Sequence, residues 1–369
     1  MIYFFIFLII IVPYFARSER QRSSSLVFSF SLMFFLAAFQ YDLTCDWSGY
    51  VEIWNAINGN DLLYKEDLEF FYSLFLKVCR PFGFYFFLAI TAVFYCYVLY
   101  RLVRKRVDSK YYWVFLMTFM LEVNCFFMLV DTNRQTLALM FVMLAFETII
   151  MGLEAYSTKK VIFKSYILAI ALLFIGVNIH RATFVALPLL LIPPIFRLKI
   201  WNKPYIALIV FFCIYFASKL FPVEQFSQML QLFFADRSNL MTSYASGIIE
   251  RDFARGITSE VRNLTFLLSI GLLFNKMNLF EKCTSACFLL FASMELYIPG
   301  NAFRGMMYYY IYIPFLASVL YKNIRISPLR ITFLIVILLY YMRKFIPGIQ
   351  NEYYYKWLDL DFVFFHPWM

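Results

Sequence analysis

Three arginines and a histidine stand in short polar gaps between long apolar runs: Asn133-Arg134-Gln135, His180-Arg181 and Asn301-Ala302-Phe303-Arg304. An ionisable group beside an apolar run is costly, which makes each one a functional-site candidate. Arginine offers a permanent charge and a planar fork of donors. Three guanidinium groups converging on one face would hold a doubly charged anion such as a diphosphate. His180 is one of only two histidines in the chain, and a neutral imidazole titrates near working pH, so it is a candidate general base. The plainer readings are a helix-start ion pair for Arg134 with Asp131, and an interfacial histidine bonded to neighbouring backbone.

Two carboxylates are flanked by aromatic residues: Asp46 by Trp47 and Tyr50, and Glu69 by Phe70, Phe71 and Tyr72. Carboxylates accept hydroxyl protons and rings pack on apolar sugar faces, so these pairs suit a carbohydrate. The alternative for Asp46 is a helix N-cap. Tyr308, in a tyrosine-rich run just after Arg304, fits a sugar contact or an interfacial aromatic belt equally well. Glu122 and Asn124 lie inside an apolar run, where a carboxylate needs a partner. No cysteine and histidine spacing marks a metal site, and no metal or other cofactor is expected.

The elements that must position these residues are membrane helices. The chain is 63% hydrophobic, 22% aromatic and 15% charged, with 47 Phe and 28 Tyr. Soluble domains carry about 45–50% apolar and about 25% charged residues. The runs are continuous rather than alternating, which favours helices over a β-barrel. The expected fold is an all-α polytopic bundle of about twelve spans, at 1–16, 25–41, 82–100, 111–130, 136–152, 161–179, 182–196, 204–221, 261–275, 283–298, 306–321 and 331–345.

The run Arg101-Leu102-Val103-Arg104-Lys105-Arg106 marks a cytoplasmic loop, and alternation sets the rest. Loops 17–24, 101–110, 153–164, 197–203, 276–282 and 322–330 then hold 19 of the 33 Lys and Arg but only Glu19, Asp108, Glu154 and Glu281 among the acids. The net charge of +10 is thereby a topology signal, and no nucleic-acid partner is expected. Both termini fall outside. The N-terminal run lacks a preceding positive region and a cleavage site, so it reads as a retained span. Every candidate residue above except the intramembrane Glu122 and Asn124 falls on the outer face. Two outer segments are long enough to carry structure. Segment 42–81 includes a helix from Glu69 to Arg80 that runs into the third span. Segment 222–260 has helical apolar spacing at Phe226, Met229, Leu230, Phe233 and Phe234 and is expected to lie on the membrane.

In this order the motifs resemble those of the EpsG/Wzy-type polysaccharide polymerases of bacterial surface-glycan export. The elements are Thr44-Cys45-Asp46-Trp47-Ser48-Gly49-Tyr50, a helix led by Glu69, Arg134-Gln135-Thr136-Leu137-Ala138, Asn178-Ile179-His180-Arg181, and Arg304 ahead of Tyr308. Such proteins often have Arg before the Asp loop, where this chain has Gln40-Tyr41, and Gly before the Asp, where it has Cys45.

The resemblance implies a membrane glycosyltransferase (GT-C-type) bundle in the bacterial inner membrane, acting at the periplasmic face. Donor and acceptor would be oligosaccharide repeat units on undecaprenyl diphosphate. The product would be O-antigen or a related surface polysaccharide. Candidate partners are a chain-length regulator and a flippase. Arg134, Arg181 and Arg304 are assigned to the diphosphate, His180 ahead of Asp46 to the base, and Glu69, Trp47, Tyr50, Gln135 and Tyr308 to acceptor or sugar contacts. An O-antigen ligase or other lipid-linked sugar transferase shares this chemistry. A glycan flippase would also have many spans, but should show an internal repeat and charges at membrane depth.

Overall fold

The computed structural model describes residues 2–39, 47–58, 68–130, 133–155, 158–220, 257–294 and 306–349. Those residues form α helices and short 3-10 segments, with no β strand among them. They divide into two compact units, residues 1–190 with 341–369 and residues 191–340, and the division falls within the helix Ser327–Ile349.

The first unit contains α1 (Ile2–Phe15), α2 (Glu19–Ala38), α3 (Trp47–Asn58), α4 (Phe70–Cys79), α5 (Phe84–Arg106), α6 (Tyr112–Leu121), α7 (Val123–Val130), α8 (Asn133–Glu154) and α9 (Lys159–Val177), then a 3-10 segment, Arg181–Leu190. By length and composition α5, α8 and α9 can each cross a membrane. The 111–130 run is broken: its two helices are bent by 82° because Glu122 leaves helical backbone, at φ −74° and ψ 103°. Asn124 donates to the Glu122 carboxylate across that break at 2.9 Å. If the bent pair counts as one span, four helices of the structure meet the length and apolarity needed. Tyr3–Phe15, Arg181–Phe196 and Tyr205–Leu220 are apolar but shorter.

The sequence dictates where these helices stop. α5 ends on Arg104, Lys105 and Arg106 in its last turn, where cations meet the negative end of the helix dipole. It begins after Gly83, whose φ of 92° lies in a region open mainly to glycine. This corrects the expectation that the helix from Glu69 runs into the third span. The chain instead leaves α4 through a 3-10 turn, Arg80–Phe82, that ends at Gly83.

α8 and α9 pack closely through small residues. A Cβ on Gly176 of α9 would lie 3.3 Å from the Ala138 carbonyl of α8, and one on Gly152 would strike Ser165. α8 is mostly buried, whereas α9 exposes Phe163, Ile167, Leu168, Ile170 and Phe174. An apolar face left so open is one that meets lipid. At one end of the unit Arg106 neutralises two acids of α8. It makes paired bonds of 2.9–3.1 Å to Glu147 and of 2.9–3.0 Å to Glu154, and Lys105 adds 2.8 Å to Glu147. Glu147, which falls inside the expected span 136–152, therefore has cationic partners.

The second unit centres on Pro204–Leu220, Ile257–Leu273, Leu279–Met294 and Ile313–Asn323. Its polar node is Arg262, 1% exposed, which donates to the Tyr340 hydroxyl at 2.5 Å and to Asn263 at 2.8 and 3.0 Å. Tyr215 donates to Glu260 at 2.7 Å, which also pairs with Lys219 at 2.6 Å.

Candidate functional site

The end of the first unit opposite the Arg106 cluster gathers α3, α4, the start of α8 and the turn after α9. Its foundation is aromatic. Trp47 and Trp54 of α3 pack edge-on against Phe84 at 5.4 and 5.6 Å. Tyr72 of α4 meets Phe87 at 6.2 Å, and Leu137, Ala138 and Ile179 complete the same buried cluster. Trp47 is thus a core side chain at 8% exposure, packed against Phe84 and Tyr85, and it holds α3 so that Tyr50, one turn on, faces α8.

The N-terminus of α4 and the turn after α9 are locked by reciprocal bonds. The first amides of a helix have no partner within it. Here the N–H groups of Phe71 and Tyr72 donate to the Asn178 carbonyl at 3.0 and 3.4 Å. In return the Arg181 N–H donates to the Glu69 carboxylate at 3.0 Å. Glu69 occupies the N-cap position of α4 with extended backbone but makes no side-chain bond to its own helix. Both oxygens face outward from α4: one takes the Arg181 amide and the other lies 3.3 Å from the Arg134 guanidinium.

Arg134 is fixed from three sides. Its N–H donates to the Tyr50 hydroxyl at 3.3 Å, which caps the first turn of α8. Its guanidinium lies over the Tyr72 ring at 5.6 Å, a cation–π distance, and Glu69 holds one of its nitrogens. The Glu69 side chain is 8% exposed while that of Arg134 is 27% exposed, so the guanidinium still opens outward. Burial, with the Tyr50 and Glu69 acidic groups adding to it, pushes the Tyr72 phenol well above its ordinary value although Arg134 pulls the other way. The ring therefore stays neutral beneath the cation.

His180 and Arg181 are placed by the end of α9. The N–H groups of Ile179 and His180 both donate to the Gly176 carbonyl at 3.1 and 2.9 Å, and Thr183 donates its N–H to the His180 carbonyl. The Thr183 hydroxyl returns to Gly176 at 3.2 Å. This tight turn leaves His180 half-buried and Arg181 exposed. The close approach at Gly176 sets its position against α8.

The structure thus brings together Arg134, His180, Arg181, Glu69 and Tyr50, drawn from four separate stretches of sequence. Gln135 is adjacent but buried in α8, 2% exposed. Tyr308 is buried in the second unit. Asp46, Arg304, Asp131 and the helix expected at 226–234 lie outside the described residues. Among the described residues, no three His, Cys, Asp or Glu side chains gather as metal ligands.

Sequence reasoning did not find the ion pair of Glu69 with Arg134, the cap that Tyr50 supplies, or the role of the Asn178 carbonyl. Nor did it single out Arg262, although an arginine at the start of an apolar run is the same signal that marked Arg134.

Among the described residues the site carries the cations Arg134 and Arg181 and the carboxylate Glu69, with His180 next to Arg181 in the chain. Aromatic packing lies beneath Arg134, and a guanidinium that opens outward suits an anion. No curated protein matches the chain, and no solved structure does. A family model matches residues 24–361, nearly the whole length. This chain belongs to the EpsG family.

Proposed function

We propose that this protein, a membrane protein of the polysaccharide-polymerase type, joins oligosaccharide repeat units carried on undecaprenyl diphosphate into O-antigen or a related surface polysaccharide. It would work at the periplasmic face of the inner membrane, within an all-α GT-C-type bundle of about twelve spans. The observation that supports this reading is Glu69, which meets the Arg134 guanidinium and accepts the backbone N–H of Arg181, the residue after His180.

In the reaction, the bond between the anomeric carbon of the growing glycan and its diphosphate oxygen breaks. A bond forms from that carbon to a hydroxyl oxygen of the next unit, and the hydroxyl proton passes to a base. Negative charge grows on the departing diphosphate. Arg134 and Arg181 stabilise it more strongly in the transition state than in the ground state, which is what accelerates a reaction. The rigid mounting of Arg134 by Tyr50, Tyr72 and Glu69 means little reorganisation is needed as that charge develops. His180 takes the proton, with Asp46 as the alternative base. Tyr50 supports the sugar units from the rim, while Trp47 holds its helix from within the core.

The test is to delete the protein in its host and resolve the surface glycan on a gel. A single repeat unit on its final lipid supports a polymerase. Full-length glycan left on its carrier would mean a ligase, and repeat units trapped inside the cell would mean a transporter.

A further inference from the structure

The run Arg101 to Arg106 does more than mark topology. Arg106 is neutralised by Glu147 and Glu154, and Lys105 leans on Glu147. Arg101 and Arg104 are exposed and make no ion pair among the described residues. The acids Glu19 and Asp108 lie within electrostatic reach of Tyr112 together with Arg104, yet neither pairs with it. Two cations are therefore left over, and they border a hollow of about 430 Å³ whose other walls are Tyr97, Tyr100 and Lys105.

That hollow closes one end of a longer stripe on α5. Phe86, Ile90, Val93 and Tyr97 are exposed by 40, 39, 50 and 58%, and their spacing of four, three and four residues puts them on one helix face. The next steps along that face are Arg101 and Arg104. From Ile90 to Arg101 the helix rises about 16 Å, close to half of the roughly 30 Å hydrocarbon core. The surface thus changes from apolar to tyrosine to arginine over the depth of one leaflet. Arginines three residues apart on a helix are neighbours and can share the oxygens of one phosphodiester.

We propose that this face of α5 binds an anionic phospholipid of the leaflet on the Arg101 side. Its acyl chain lies along Phe86, Ile90 and Val93, its glycerol lies beside Tyr97, and its phosphate sits between Arg101 and Arg104. The lipid supplies the anion that the acids of α8, already held by Arg106 and Lys105, do not. The site is at the opposite end of the helices from Arg134.

The experiment is to place the full-length protein in nanodiscs of phosphatidylcholine with a minor fraction of phosphatidylglycerol and count the phosphatidylglycerol retained after extraction by native mass spectrometry. The double variant Arg101→Gln, Arg104→Gln is the comparison, since both side chains are exposed and the Arg106 cluster is left intact. Each cation near the surface is worth about a factor of five, so the variant retains phosphatidylglycerol about 30-fold less well. Glycerol 3-phosphate at millimolar concentration does not displace the lipid from the unaltered protein, because it lacks the chain that lies along the stripe. Equal retention by the variant overturns the site, and displacement by glycerol 3-phosphate overturns the lipid as its occupant.

Discussion

One oxygen of Glu69 lies 3.3 Å from the guanidinium of Arg134 while the other accepts the N–H of Arg181. A single buried carboxylate therefore ties the start of α8 to the turn after α9. It holds the Arg134 guanidinium in place and also competes with any anionic ligand for it. Replacing it with glutamine keeps an acceptor for the Arg181 amide and removes the charge. Glu69→Gln is expected to insert normally, to lower turnover by about tenfold or more through misplacement of Arg134, and to bind inorganic diphosphate at least as well as the parent. Weaker diphosphate binding in this variant would show that Glu69 supports the anion rather than opposing it.

Arg134 itself separates charge from geometry. On the proposed mechanism Arg134→Ala removes a donor to the leaving group, and the loss of one such donor typically lowers the rate 10²–10³-fold. Arg134→Lys restores the charge without the planar fork, so it should recover only a small part of that loss. The check is glycan chain length on gels, with membrane insertion measured in parallel. Full recovery by lysine would reduce Arg134 to a point charge.

Much of this arrangement is legible in the sequence, because ionisable residues at the ends of apolar runs are rare and expensive. Arg134, His180 and Arg181 stand out on that ground alone, and the lysine and arginine bias puts them on one face with Glu69. What periodicity cannot give is which end meets which. The link from Glu69 to Arg134 spans different helices, and Asn178 acts through a backbone carbonyl, which has no residue signature. Nor do apolar runs reveal breaks such as Glu122 and Gly83, since the run stays hydrophobic through a local change in φ and ψ. Trp47 shows the opposite limit: a tryptophan beside a candidate acid suggests sugar stacking, but its neighbours Phe84 and Tyr85 draw it into the core.

The Tyr50 hydroxyl offers a milder probe than any charged residue. Tyr50→Phe removes the 3.3 Å bond to the Arg134 amide, worth about 1 kcal/mol, and should lower turnover several-fold with little change in thermal stability. Trp47→Ala instead empties part of the aromatic core and should cost about 3–5 kcal/mol of stability. Thermal denaturation in detergent distinguishes the two. Equal losses of stability would mean that Tyr50 is structural in the same sense as Trp47.

Gly176 controls the position of His180 from a distance. A methyl group there would lie 3.3 Å from the Ala138 carbonyl and 3.2 Å from the Thr183 side chain, and the backbone carbonyl cannot rotate away without unravelling α8. Gly176→Ala should destabilise by about 1–3 kcal/mol and shift the turn that carries His180 and Arg181. Its turnover should fall more than its stability explains, and Thr183→Ser, which deletes one of the two contacts, should partly restore it. Activity that simply follows the folded fraction would remove the positional argument.

His180 is tested by its pH profile. A general base must be neutral, and an imidazolium cannot accept the proton of the attacking hydroxyl. Turnover should therefore fall on the acidic side of the profile. His180→Asn cannot bind the proton, so its residual activity, lower by about 10²–10⁴-fold, should lose the acidic limb. Membrane-embedded protein assayed from pH 5 to 9 with saturating lipid-linked substrate gives both curves. An unchanged acidic limb in the variant would move the role of base to another group, and Asp46, the alternative base of the proposal, is the first to examine by the same profile.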